Sequence, residues 1–266
     1  MTDRFVTADG VNLYLDSAGE GAPFVFQHGL CGDCGQAAQV FPEGFRRLTL
    51  ECRGHGASEC GPLERLSIAQ FTDDLAAMIE AEGLGPCVVG GISMGAAIAL
   101  RLAVRRGDLV RALVLARPAW DVEPAPENMA PNALVGDLLA RFAPDEAAQR
   151  FEASPVAAEL ARTGPDNLAS LRGFFRREPV AVTAALLSRI SADGPGVTSG
   201  DLGALRLPVL VIGHERDHVH PIAMARGLAG MIPGARFIEI TPKAADPARY
   251  RTDFQSALSG FLKGLP

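Results

Sequence analysis

Cys87-Val88-Val89-Gly90-Gly91-Ile92-Ser93-Met94-Gly95-Ala96-Ala97-Ile98-Ala99-Leu100-Arg101-Leu102-Ala103 is the stretch on which the fold turns. Its first residues are apolar and rich in valine, which reads as a buried strand, and its last eight are strong helix formers. Ser93 lies on the tight turn between them. Such a turn forces the serine into a strained backbone conformation, and side chains two positions to either side must be nearly absent. Gly91 and Gly95 supply that space. The hydroxyl is expected to stand above a sheet, beside a helix N-terminus that favours developing negative charge. A lone G-x-S-x-G also suits a close helix-strand packing turn, so the flanking segments carry the decision.

Outward from this turn, short β-rich runs alternate with helical patterns. Phe5-Val6 and Val11 to Leu15 flank an Asp9-Gly10 turn and read as a hairpin. Further strands are expected at Pro23 to Gln27, Arg47 to Glu51, Cys87 to Gly91, Ala112 to Ala116, Val209 to Gly213 and Arg236 to Ile240. Most are continuous apolar runs, as in strands covered on both faces by helices. Ser67 begins a helix with Gln70 placed to complete a capping box, and Ile68, Phe71, Leu75, Met78 and Ile79 share one face. Tyr250, Phe254, Leu258 and Phe261 mark a terminal helix after Pro247. The pattern predicts an α/β fold with a mostly parallel central sheet flanked by helices. From about Ala119 to Leu205 no strand is evident. Leu134 to Phe142, Pro144 to Phe151, Pro165 to Phe175 and Val180 to Ile190 each suit a helix. The expected organisation is a core of 1–118 and 206–266 with 119–205 inserted as a helical cap.

Composition narrows the class. The 266 residues are 48% hydrophobic and 21% charged, which supplies ample core. Lys and Arg number 25 against 31 Asp and Glu, a formal charge of -6, without the basic excess that a nucleic-acid partner requires. No apolar run approaches the roughly 18 residues of a membrane helix, and Met1-Thr-Asp-Arg-Phe5 lacks an apolar leader. Five cysteines, an odd number, fit a reducing compartment better than a disulfide framework, so a cytoplasmic setting is expected. Oligomeric state is not readable from these features.

Two more segments bear on the chemistry. Phe24-Val-Phe-Gln-His-Gly-Leu-Cys31 is a strand running into His28-Gly29, after which the Leu30 N–H is placed to pair with that of Met94 as a two-donor oxyanion hole. His28, Arg53 and His55 read as scaffold. Gly213-His-Glu-Arg-Asp-His-Val-His-Pro221 follows another buried strand. With His28-Gly29, Arg53-Gly-His-Gly56 and the Ser93 turn, these motifs make the chain resemble the α/β-hydrolases, a group containing esterases, enol-lactonases, haloalkane dehalogenases and cofactor-independent perhydrolases. The resemblance covers almost the whole chain. It implies a nucleophile elbow at Ser93, Asp217 as the triad acid, acyl transfer on a small ester, lactone or thioester, and no cofactor.

The chain departs from that pattern at the base. The family's histidine normally follows the last strand in a Gly-His pair, yet this interval reads Ile240-Thr-Pro-Lys-Ala-Ala-Asp-Pro247, and no histidine follows His220. A serine hydroxyl without a base is a poor nucleophile near neutral pH. His218 or His220 could reach Ser93 if the acid's loop curls over the elbow. Lys243 could serve as a desolvated base, and Asp246 could act directly on water or substrate. Loss of hydrolytic chemistry, leaving a ligand-binding protein, is the alternative. His214, His218 and His220 with Glu215 and Asp217 form a ligand-capable cluster, but a turn need not aim them at one centre, and no metal is expected. Cys31-Gly-Asp-Cys34 has redox or zinc spacing without a second pair, and small buried thiols are the simpler reading. Trp120, Phe142, Phe151, Phe174 and Phe175 could wall an apolar cavity or fill the cap's own core. Arg117 could hold a substrate carboxylate or pair with Asp121 or Glu123, and the Arg172 to Arg177 stretch reads as a solvated face.

Overall fold

A computed structural model describes residues 3–265; Met1 and Thr2, part of the segment read as lacking a leader, lie outside them. Among the described residues, eight strands form one sheet: β1 (Asp3–Val6), β2 (Asn12–Ala18), β3 (Pro23–Gln27), β4 (Arg46–Leu50), β5 (Cys87–Ile92), β6 (Val110–Ala116), β7 (Val209–Gly213) and β8 (Arg236–Glu239). Their order is β1-β2-β4-β3-β5-β6-β7-β8. β1 and β2 pair antiparallel, β2 joins β4 antiparallel, and every later pairing is parallel.

The apolar runs are explained by burial on both faces. Phe24 and Phe26, Val88, Val114, Leu210 and Ile212 pack with α1 (Cys34–Val40) and α11 (Pro247–Lys263). Their alternates Val25, Val89, Leu113, Leu115, Val209 and Val211 face α2 (Ile68–Ala81), α3 (Met94–Arg105) and α10 (Ile222–Met231). Tyr250, Phe254, Leu258 and Phe261 are the buried stripe of α11, as their spacing predicts. The capping box at Ser67 is only half made: Ser67 Oγ accepts from Gln70 N, but the Gln70 side chain donates to Asp74 Oδ1 four residues on.

Between β6 and β7 lie α4 (Ala130–Arg141), α5 (Pro144–Glu152), α6 (Pro155–Thr163), α7 (Pro165–Phe174), α8 (Val180–Ser191) and α9 (Ser199–Ala204), with no strand among them. Four of these begin on a proline in their first turn, where the missing N–H costs nothing. The segment meets the carboxyl edge of the sheet, where the turn after β5 opens. Among the described residues, no helix is long and apolar enough to cross a membrane.

Candidate active site

Ser93 sits between β5 and α3 with φ 58° and ψ −112°, a backbone region that a residue with a side chain rarely occupies. The surroundings fix it there. Ser93 N donates to Ala116 O, and Ser93 O accepts from Ala96 N and Ala97 N. A Cβ on Gly91 would lie 2.5 Å from the Gly95 carbonyl carbon, and one on Gly95 would lie 2.6 Å from Gln27 O and 2.7 Å from His28 O. Both contacts are with backbone, so only glycine permits the approach.

The loop after β3 supplies the facing wall. Gly29 N donates to Gln36 Oε1 and Cys31 N to His55 Nε2, and between these tethers Leu30 N has no partner among the described residues. Met94 N, first in α3, is likewise unpaired. His28 Nε2 accepts from Cys52 N, so its proton is on Nδ1, which donates to Gly29 O; His55 is held the same way, with Nδ1 donating to Arg53 O. Burial holds both rings below the ordinary histidine range, and each therefore accepts an amide as neutral imidazole. Arg53 is buried scaffold, paired with Asp74 and Asp9.

Asp217 follows β7 with its side chain fully buried. Oδ2 accepts from Arg117 Nε at 2.8 Å and Nη2 at 2.6 Å, while Oδ1 accepts from Asn167 Nδ2 at 2.9 Å and His220 N at 3.1 Å. Burial alone would raise this carboxyl, but Arg117 and His220 hold it well below the usual carboxylate range. The bond from His220 N turns the loop back on the acid, and His220 Nδ1 comes to 2.9 Å from Oδ1. Nδ1 also lies 3.2 Å from Arg117 Nη2, and of the two neighbours the nearer carboxylate favours Nδ1–H, which leaves Nε2 free to accept.

Ser93, Leu30, His220, Arg117 and Lys243 line one cavity of about 150 Å³. Ser93 Oγ makes no hydrogen bond to either His220 or Lys243 among the described residues. The other candidates fall elsewhere. His218 points to α6, with Nδ1 3.4 Å from Thr163 Oγ1. Asp246 is exposed and caps α11, accepting from Ala248 N and Arg249 N. Trp120 is 1% exposed and gives its indole N–H to Asp193 O, so it fills the core instead of walling the cavity. Of the phenylalanines between β6 and β7, Phe174 lines the cavity, Phe151 and Phe175 pack on each other, and Phe142 lies beneath Arg150.

Arg117 does not pair with Asp121 or Glu123. It takes a left-handed φ of 44° and reaches Asp217 and, at 3.3 Å, Asp166 of α7. Burial opposes its charge, yet Asp217, Tyr250 and Asp166 hold the guanidinium above its ordinary value. His214, His218 and His220 do not share one centre: His214 Nδ1 lies 2.8 Å from Glu215 O, and His218 points to Thr163. The donors brought within 4.8 Å of one another are Asp166, His214 and Asp217, and the Arg117 guanidinium already contacts both carboxylates there. Arg172 is solvated beside Glu152, whereas Arg177 ties α7's end to Gly54 O. Sequence reading missed Asp166 and Asn167: Asn167 also accepts from His218 N and Val219 N, so one residue of α7 holds the acid loop on both sides.

A family model described as the alpha/beta hydrolase fold matches residues 22–244 of this chain, consistent with its open, mostly parallel sheet. The chain belongs to the α/β-hydrolase fold family. It is 25% identical over 244 residues to the AB hydrolase superfamily protein YisY of Bacillus subtilis, covering 84% of each chain. It is 26% identical over 255 residues to 2-hydroxymuconate semialdehyde hydrolase of Pseudomonas putida, covering 88% of this chain and 84% of the other. The solved thermophilic esterase of Thermogutta terrifontis, with malate bound, superposes with a TM-score of 0.72 at 25% identity, covering 98% and 97% of the two chains. This α/β-hydrolase lacks the Gly-His pair after its last strand, and Lys243 enters the cavity from that interval.

Proposed function

We propose that the protein is a serine hydrolase of small esters, lactones or thioesters, with Ser93 as nucleophile and His220 as a displaced base. The observation that carries this reading is the shared cavity: a strained serine and an imidazole already oriented by a buried carboxylate line the same space. Ser93 Oγ would attack the carbonyl carbon as its proton passes to His220 Nε2, directly or through one water. The developing oxyanion would take the free N–H groups of Leu30 and Met94. His220 would then return the proton to the departing alcohol or thiol, and water would release the acid from Ser93. Helices α4 to α9 act as a cap in this reading, and the unpaired thiols suit a reducing, cytoplasmic setting.

A second reading, a ligand-binding protein on a hydrolase scaffold, is favoured by one observation: among the described residues Ser93 Oγ is hydrogen-bonded to no base. Turnover of p-nitrophenyl acetate separates the two. The hydrolase reading expects a rate that falls by about a thousandfold or more in Ser93→Ala. Equal rates for wild type and variant would leave only the binder.

A further inference from the structure

A second, smaller cavity of about 80 Å³ adjoins the first and shares Gln36, Ile92, Arg117 and Lys243 with it. Its remaining walls include Gln39 and three residues from the start of α11, Pro247, Tyr250 and Arg251, which recur at the spacing of one helix face. Three cations and no Asp or Glu line it among the described residues. The charge of Arg117 is already met by Asp217 and Asp166, but among the described residues neither Lys243 nor Arg251 has a carboxylate within 4.0 Å. Lys243 is half-buried, and burial together with Arg117 pulls its ammonium below the ordinary lysine value. Asp166 and Asp217 oppose that shift only from a distance and are themselves engaged by Arg117, so a half-buried ammonium without a direct carboxylate contact gains from an anion. The amides of Gln36 and Gln39 and the Tyr250 hydroxyl add neutral hydrogen-bonding groups to the same walls.

We propose that this side cleft is an anion subsite, and that the substrate is a short-chain ester or thioester whose acyl chain ends in a carboxylate held by Lys243 and Arg251. The inference rests on the Ser93 reading and narrows it. The main cavity, comparable in volume to one that admits a benzene ring, takes the carbonyl and a few methylenes. The cleft takes the terminal charge across the Lys243 and Arg117 wall. Lys243, standing in the interval where the family's base is missing, is then a binding residue and not a proton acceptor.

The test compares monomethyl glutarate with methyl 5-methylhexanoate, in which an isopropyl group replaces the carboxylate at equal chain length. Wild type is expected to show kcat/KM about tenfold higher for the hemiester, and Lys243→Met and Arg251→Met each to raise its KM about fivefold with kcat held, the size of a partly exposed ion pair. A ratio at or below one, or variants that slow both esters by the same factor, overturns the subsite. If wild type hydrolyses p-nitrophenyl acetate through Ser93 but neither methyl ester, the subsite is overturned; if it hydrolyses none of the three, the Ser93 reading fails, and calorimetric titration with glutarate decides the subsite alone. Millimolar or tighter binding weakened by both variants supports it. No binding, binding indifferent to both variants, or binding of inorganic phosphate in preference to glutarate overturns it.

Discussion

Arg117→Met tests the electrostatic frame of the site. The side chain is 8% exposed and meets the fully buried Asp217 carboxylate through two nitrogens at 2.8 and 2.6 Å. Methionine fills much of the space but leaves Asp217 with Asn167 and His220 as its remaining partners. Removing one member of a buried pair costs about 3–5 kcal/mol, and those surviving bonds place this case near the lower end, about 3 kcal/mol. At roughly 2–4 °C per kcal/mol for a chain approaching this size, Tm falls by on the order of 10 °C. The sign with pH follows from the shift. In wild type the Asp217 pKa is depressed, so its contribution is present above the unfolded carboxylate value and is lost as pH falls through the folded one. In the variant, burial without the guanidinium raises that pKa, and the penalty fades as pH falls. Scanning calorimetry at pH 8, 6 and 4.5 should therefore show a Tm gap that narrows on acidification, and adding Asp217→Asn should recover part of it. A gap under about 2 °C at pH 8, or one independent of pH, refutes the reasoning.

Gly95→Ala should cost about 1–3 kcal/mol in urea unfolding, because its Cβ meets two backbone oxygens that cannot move aside. Gly260→Ala in α11, where a Cβ meets nothing within 4 Å, should instead stabilise by about 0.5–1 kcal/mol. His55→Leu should cost about 1–3 kcal/mol by leaving Cys31 N without its acceptor, and should slow ester turnover by loosening the loop that carries Leu30 N. His28 and His55 have depressed pKa values, so unfolding takes up protons below about pH 6.5, and wild-type stability should decline from pH 7.5 to pH 5 in denaturant titrations.

Much of the scaffold was legible because each signal was local. The apolar runs at Phe24, Val88, Leu113 and Val209 required cover on both faces, and the sheet supplies it. Gly91 and Gly95 announced a backbone too close for side chains, and the contacts show which carbonyls demand it. Helix α6 was missed although Ser154 and Pro155 spell a start, because nine residues between prolines give little periodicity. The candidate site was legible only where its partners are near in sequence. Asp217 and His220 are three residues apart, and the choice of His220 over His218 depends on the turn made by His220 N on Asp217. Arg117 and Asn167 reach the acid across 100 and 50 positions, and Asp166 joins through Arg117; these contacts come from the packing of the β6 end against α7, which no spacing rule encodes.

The central claim is that His220, held by Asp217, activates Ser93. Its most direct test is the rate at which an ethyl fluorophosphonate forms a single adduct, followed by intact mass and mapped to Ser93, in wild type, His220→Gln and Lys243→Met. The account predicts labelling of Ser93 that slows by about a hundredfold or more in His220→Gln, the scale of a lost general base, and only slightly in Lys243→Met. An unlabelled wild-type serine, or a His220→Gln rate equal to wild type, would contradict it.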